Sequence, residues 1–190
     1  MLISKEHQPN PANQFRGRVN KAQGNFFEEL IDRSCEHYRQ DGTAVIEKTP
    51  EPFHITRSLG GGKFQGNFAK AAQPDYKGVL HGGRMIAIEA KLTSSDRIEQ
   101  DRVTAEQAEA LEEYQAAGAL CFVMVSLQMQ RFFLVPWQAW KEIRQRFGRN
   151  YIRAEELSPY ERRFNGRWIE LFNRKTAVPN GTAVRGREVL

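Results

Sequence analysis

Two charged residues lie two positions apart in an otherwise apolar, alternating stretch, RMIAIEAKL, at Glu89 and Lys91. Residues two apart in a β-strand point to the same face, so these two side chains share one face of the strand. The apolar Ile86, Ile88 and Ala90 point to the other face. The pattern therefore predicts that Glu89 and Lys91 act together at one place on a sheet.

A third charged residue, Asp75, begins the preceding predicted strand, DYKGVL. A short turn at residues 81–83 predicts an antiparallel hairpin, which brings Asp75 beside Glu89. Two carboxylates this close repel each other unless a cation lies between them, and oxygen ligands favour Mg²⁺ or Mn²⁺. Lys91 would lie near a phosphate bound there and stabilise developing negative charge. The three residues predict a phosphodiester-hydrolysing site, and the alternative is an exposed hairpin face with ordinary charges.

Two polar residues on flanking helices are further candidates for this site. A helix is predicted over residues 104–118, where Thr104 and Gln107 fit a capping box and Gln107 lies in the first turn. An amphipathic helix predicted over residues 24–42 carries Glu28. From these positions either side chain could reach the same metal ion, although each is also compatible with an ordinary surface role.

The rest of the chain predicts the framework that positions these residues. Residues 1–20 are expected to form a flexible basic arm, residues 21–173 one domain, and residues 174–190 a disordered tail. Residues 57–73 predict a long, exposed and mobile segment, and RWIEL at residues 167–171 is either a last strand or a docking segment. Strands are predicted at residues 43–48, 53–56, 75–80, 84–92, 119–127 and 131–136, with a further helix at residues 137–148. This order indicates an α/β fold with a central mixed β-sheet flanked by helices.

The charge distribution permits a polyanionic partner. The net charge is +5 and the pI is about 9.4 over 190 residues, which allows nucleic-acid binding without requiring it. Ordinary solvated charges remain the alternative explanation. The candidate polyanion contacts are Arg16, Arg18, Arg57, Lys63, Lys70, Lys77 and Arg84.

The cysteines and the hydropathy pattern indicate where such a protein would be found. Cys35 and Cys121 lie in apolar patterns without metal-ligand spacing, which predicts two buried, reduced thiols. The sequence shows no apolar run long enough to span a bilayer and no signal peptide, so we expect a cytoplasmic protein without a membrane partner.

Several segments, in their order, resemble the RecU family of the PD-(D/E)xK nuclease superfamily: FFEELI, TAVIEKTPEPFHI, PDYKGVLHGGRMIAIEAKLT and RFFLVPW. The resemblance implies a restriction-endonuclease-like fold for the nuclease domain. It also implies that Asp75, Glu89 and Gln107 bind a metal ion, with Mg²⁺ expected and Mn²⁺ possible. Lys91 becomes the residue that stabilises the transition state, and Glu28 matches the acidic residue of the family's first helix.

The same resemblance implies a function. RecU proteins are Holliday-junction resolvases, so we expect a metal-dependent, structure-specific endonuclease that resolves four-way DNA junctions in recombination and repair. A homodimer is implied, with the basic residues named above contacting DNA phosphates and a strong dependence of binding on salt. Two alternatives stay open: another PD-(D/E)xK nuclease of the restriction or repair type, and a DNA-binding protein that does not cut.

Overall fold

One long helix begins the described part of the chain, six strands follow it, and strands and helices are interspersed after them. The structure is a computed structural model that describes residues 11–50, 53–68 and 73–172. The strands are β1 (Ala44–Lys48), β2 (Phe53–Gly60), β3 (Lys63–Phe68), β4 (Tyr76–Leu80), β5 (Met85–Thr93), β6 (Arg97–Glu99), β7 (Leu120–Leu127), β8 (Arg131–Pro136), β9 (Tyr151–Arg153) and β10 (Glu161–Arg162). The α-helices are α1 (Pro11–Gln40), α2 (Ala105–Ala116), α3 (Trp137–Lys141), α4 (Ile143–Phe147) and α5 (Ala154–Leu157).

Six strands form one sheet in the order β1-β4-β5-β7-β8-β10. Strands β5 and β7 are parallel, and every other neighbouring pair in this sheet is antiparallel. A parallel pair requires a crossover connection, and α2 is the helix of that crossover. The predicted α/β fold with a central mixed sheet flanked by helices is therefore confirmed.

Each face of the sheet has its own hydrophobic core, as the alternation in β5 predicts. On one face Ile86 and Ile88 pack with Phe27 and Ile31 of α1. On the other face Ala87 packs with residues of α2 and α3, and Glu89 lies on this second side of β5. The charged pair of β5 therefore faces the crossover helix, and α1 covers the opposite face.

Helix α1 begins earlier than the sequence pattern predicted. Residues 11–20, expected to belong to a flexible arm, are helical, and α1 ends at Gln40, just before Asp41 and Gly42, the latter with a φ of +74°. The buried side chains of α1 start at Phe27, so the helix up to that point presents exposed or half-buried residues. Extending an existing helix costs little once its amphipathic part is packed, which explains why the helix continues beyond the predicted start.

The segment predicted to be long and mobile is a hairpin where it is described. Strands β2 and β3 pair as a separate two-stranded antiparallel sheet, and the glycines of the turn at residues 60–62 all have positive φ. Residues 57–65 are exposed, as predicted, but they belong to two strands, and the three consecutive glycines form a tight turn between these strands. The mobility of the segment stays a prediction. The rest of that segment up to residue 72, the first ten residues and the tail after residue 172 lie outside the described residues.

Three smaller predictions have clear outcomes. The helix expected at residues 137–148 is divided at Glu142 into α3 and α4, which lets Trp140 and Ile143 reach one core. RWIEL is a docking segment, since Ile169 is buried and its N–H donates to Ser34 Oγ at 3.0 Å. Both cysteines are free and buried, as predicted. None of the described helices is both long and apolar enough to cross a membrane.

Candidate active site

The β4–β5 hairpin brings Asp75 beside Glu89. Tyr76 pairs with Ile88, so Asp75, which directly precedes β4, lies next to Glu89 on the same face. Asp75 Oδ2 accepts a hydrogen bond from the Ala90 N–H at 2.8 Å, which fixes the carboxylate. Burial raises the pKa of Asp75, while the hydrogen bond from Ala90 lowers it. The predicted approach of the two carboxylates is confirmed.

Glu89 is fully buried, and only one of its two carboxylate oxygens has hydrogen-bond partners among the described residues. Its Oε1 accepts from Lys91 Nζ at 2.8 Å and from Gln107 Nε2 at 2.5 Å. Its Oε2 is buried without a hydrogen-bond partner among the described residues. Burial and the neighbouring Asp75 carboxylate raise the pKa of Glu89 to about 7, against the lowering effect of Lys91. The site thus holds one carboxylate oxygen in position for a positively charged group.

Gln107 connects this site to the start of α2. The capping box predicted for this helix is present: the Gln107 N–H donates to Thr104 Oγ1 at 3.3 Å, and Gln107 Oε1 accepts from the Thr104 N–H at 3.1 Å. The same Oε1 also accepts from Lys91 Nζ at 2.9 Å. Gln107 therefore orients both Glu89 and Lys91, and its role as a metal ligand stays a prediction.

Glu28 lies at the α1 side of the site, together with a lysine that the sequence reasoning missed. Lys48 Nζ donates to Glu28 Oε2 at 2.7 Å, and this hydrogen bond raises the pKa of Lys48. Both residues act electrostatically on Asp75. The sequence does point to this residue, because Lys48 belongs to the EKTPEP segment at the end of β1. Only the pairing of Lys48 with Tyr76 shows that this lysine lies near Asp75.

A cleft of about 410 Å³ opens beside these residues. Glu28 and Lys91 line one part of it, and Glu99 and Arg102 line another. The cleft therefore shares Glu28 and Lys91 with the candidate active site, whereas Asp75, Glu89 and Gln107 do not line it.

Comparison with known proteins places this arrangement in a family. The family model described as RecU, Recombination protein U, matches residues 22–170. This chain belongs to the RecU family. The predicted family is thereby confirmed.

Two relatives and one solved structure show the extent of the similarity. A Holliday junction resolvase RecU from Streptococcus pneumoniae is 31% identical over 142 residues, which cover 71% of this chain and 70% of that protein. The Holliday junction resolvase RecU of Streptococcus oralis is 30% identical over 141 residues, which cover 70% of each chain. The Holliday junction resolvase Hjc of Archaeoglobus fulgidus matches with a TM-score of 0.44 and 16% identity, covering 69% of this chain and 91% of that chain.

The RecU match covers the candidate site but not all of the predicted DNA contacts. The matched span contains Glu28, Lys48 and the hairpin, whereas Arg16 and Arg18 precede it on α1. Both of these arginines are exposed. The family match therefore does not include these two arginines, and their contact with DNA stays a prediction.

The other predicted DNA contacts lie at different places in this RecU protein. Arg57 and Lys63 are exposed on the β2–β3 hairpin, and Arg84 is exposed at the turn between β4 and β5. Lys77 is half-buried and donates to Gln73 Oε1 at 2.6 Å. Lys70 lies outside the described residues. The structure therefore brings none of these four described residues into the hydrogen-bonded group formed by Asp75, Glu89, Lys91 and Gln107.

Proposed function

We propose that this protein is a metal-dependent endonuclease that resolves four-way DNA junctions by hydrolysing phosphodiester bonds. The observation that best supports this function is the set of charged side chains at the β4–β5 hairpin. Glu89 is buried beside Asp75 and forms a salt bridge with Lys91. Membership of the RecU family supports this function, since the relatives described above are named Holliday junction resolvases.

The donor set fits a hard divalent cation. A buried carboxylate oxygen without a partner is costly, and Glu89 Oε2 is such an atom among the described residues. Those residues contain no group of three or more His, Cys, Asp or Glu placed to hold a metal. Mg²⁺ does not need one, because it commonly uses one or two carboxylates and completes its shell with waters and substrate phosphates. Asp75 and Glu89 would hold Mg²⁺ or Mn²⁺, which supplies Lewis-acid polarisation of the phosphoryl group when bound.

The chain's own residues then perform three tasks. Lys91 holds a positive charge beside the carboxylates, where it stabilises the charge that develops on the phosphate oxygens. Gln107 holds Glu89 and Lys91 in one geometry through its two side-chain polar atoms. The Ala90 N–H fixes the Asp75 carboxylate. These contacts preorganise the site before DNA arrives, which reduces the reorganisation required in the transition state.

A junction has two strands to cut, which supports a homodimer. One described chain offers one group of this kind, and a two-fold dimer would present two such groups to a junction of approximate two-fold symmetry. The exposed basic residues Arg16, Arg18, Arg57, Lys63 and Arg84 would contact phosphates outside the site. Such contacts predict an affinity that falls steeply with salt.

The test compares a synthetic four-way junction with a linear duplex of the same sequence. With Mg²⁺ the protein should introduce paired, symmetric nicks in the junction and leave the duplex intact, and a chelator should abolish cleavage but not binding. The matched control is Asp75→Asn, which removes one negative charge with little change in shape.

Each contrary result has a defined meaning. Equal cutting of duplex and junction would favour a restriction or repair nuclease. Binding without cleavage, unchanged by Asp75→Asn, would favour a DNA-binding protein that does not cut.

A further inference from the structure

The cleft beside the candidate active site has the size and form of a ligand site. Its volume of about 410 Å³ lies within the range of roughly 300–1,000 Å³ that is usual for small-molecule sites. It lies between α1 and the end of β5, and it shares Lys91 and Glu28 with the active site. A group bound in the cleft would therefore contact Lys91, which is hydrogen-bonded to Glu89.

The lining combines apolar surfaces with carboxamides. Ala90 and Leu92, both half-buried, contribute apolar atoms, while Phe27 lies behind the lining with only 2% of its surface exposed. Asn20 and Gln23 line the cleft from α1, and their side chains make no hydrogen bond within the described part of the chain. A mainly polar lining with carboxamide donors and acceptors beside a small apolar surface suits the hydrogen-bonding edge of a nucleobase.

Gly24 keeps the cleft open. Gly24 lies within α1, where a glycine stabilises the helix less than an alanine would, and it lines the cleft. A Cβ built at this position would meet nothing within 4 Å. No packing against the protein therefore requires a glycine here, and its effect is to leave space in the cleft.

A cation fixed at the cleft could bind the backbone of a DNA strand. Arg102 Nη2 donates to the Leu92 carbonyl at 3.1 Å, which anchors the guanidinium and leaves other N–H groups available. Lys91 lies on the active-site side of the same cleft. A strand bound along the cleft would meet a cation at each of these two positions.

We propose that this cleft binds one nucleobase adjacent to the scissile phosphate, unstacked from its neighbours, and that Asn20 and Gln23 read its edge. The proposal rests on the proposed function, because it assigns the sequence preference of the same nuclease. Asn and Gln pair best with adenine, through one donor and one acceptor, so adenine is the expected base. Unpairing is easiest where a duplex is already distorted, as at a branch point.

Two measurements test the cleft. In the first, junctions whose branch point migrates through varied sequence are cleaved with Mg²⁺, and the cut sites are mapped. Wild-type protein should prefer adenine at one position flanking the cut, and Asn20→Ala with Gln23→Ala should reduce that preference roughly tenfold. Gln145→Ala removes an exposed carboxamide on α4 and should keep the wild-type preference.

The second measurement does not require cleavage. A junction carrying 2-aminopurine, a fluorescent adenine analogue, at either flanking position is bound in the presence of a chelator. Fluorescence should rise with wild-type protein and not with Gly24→Met, whose side chain would fill the cleft. Gly17→Met is the matched control, since Gly17 is also helical with nothing within 4 Å but does not line the cleft.

The outcomes separate this proposal from the proposed function. Wild-type protein that cuts junctions with the same base preference as the double variant would overturn the base-reading role. Equal fluorescence changes for Gly24→Met and Gly17→Met would overturn the cleft as the binding place. Wild-type protein that unstacks the analogue but never cuts would overturn the nuclease while supporting the cleft.

Discussion

Two of the antiparallel hairpins in the described residues, β4–β5 and β2–β3, share a local structure but differ in burial and in their place in the fold. The β4–β5 hairpin lies inside the six-stranded sheet, with β1 on one side and β7 on the other. The β2–β3 hairpin is a sheet of its own with two register shifts, and Ile55 and Phe64 are more than half exposed on it. Neighbouring strands therefore bury the first hairpin and leave the second in solvent.

This difference in burial decides what a charge can do in each hairpin. At the β4–β5 hairpin, Glu89 is desolvated and each nearby charge acts strongly, as its raised pKa shows. At the β2–β3 hairpin, Arg57 and Lys63 are exposed, where salt screens them and a flexible partner can adapt. The first hairpin is suited to chemistry, and the second to contact with a polyanion.

The largest expected effect comes from removing the half-buried cation Lys91 at the β4–β5 hairpin. Lys91→Met keeps most of the side-chain volume and should lower the rate of junction cleavage at saturating DNA on the order of 10³-fold. Lys63→Met, the same change on the exposed hairpin, should leave that rate within about twofold, because it acts on affinity alone. Single-turnover kinetics measures both, and similar losses for the two variants would erase the contrast between the hairpins.

The second effect is a dependence of stability on pH. The folded pKa of Glu89 is raised from 4.5 to about 7, so the native state binds this proton more tightly than the unfolded state. The unfolding free energy that protonated Glu89 contributes is fully present below pH 4.5 and is lost as pH rises through about 7. The metal-free protein should therefore lose up to about 3 kcal/mol of unfolding free energy across this window.

Urea unfolding with a chelator at several pH values between 4.5 and 8 measures this loss. Glu89→Gln cannot ionise at this position, so its unfolding free energy should rise relative to that of the wild type as pH rises. Glu109→Gln, at an exposed position on α2, is the matched control for the loss of one carboxylate. If the unfolding free energy of the wild type instead rose relative to that of Glu89→Gln as pH rises, the predicted direction of the pH dependence would be wrong.

The third effect tests the connection between α2 and the buried hairpin. Gln107→Ala removes the contacts to Glu89 and Lys91 and should lower the cleavage rate by roughly 10–100-fold, as the loss of a supporting residue at a metal site does. Junction affinity measured with a chelator should stay unchanged. Gln115→Ala on the same helix is the control, and an equal loss of rate there would point to helix stability instead.

The smallest effect is expected at the exposed hairpin. Arg57→Ala and Lys63→Ala should each reduce the slope of log affinity against log salt by about 1, with unfolding free energy changed by no more than about 0.5 kcal/mol. Titrations of labelled junction at several salt concentrations provide the slope. Arg33→Ala, which removes an exposed arginine paired with Glu29, is the control, and an equal change of slope there would argue against a specific role for the β2–β3 hairpin.

Local patterns in the sequence were sufficient for the buried hairpin. The alternation around Glu89, the glycine turn and the capping residues Thr104 and Gln107 act over short distances, so each is visible in a few consecutive residues. The same local reasoning failed where the pattern was ambiguous, as at the glycines of residues 60–62. It also missed β6 and β9, because three residues are too few to show an alternation.

The sequence by itself determined the class of fold, the shared face of Glu89 and Lys91 and the approach of Asp75. Only the tertiary structure decided that Glu89 Oε2 has no hydrogen-bond partner in the described part of the chain, that Lys48 lies near Asp75, and that a cleft opens beside Gly24. The physical reason is that local spacing fixes the direction of a side chain along one strand or helix. The packing of α1, α2 and β1 around the hairpin decides which side chains meet, and segments far apart in the chain contribute to that packing.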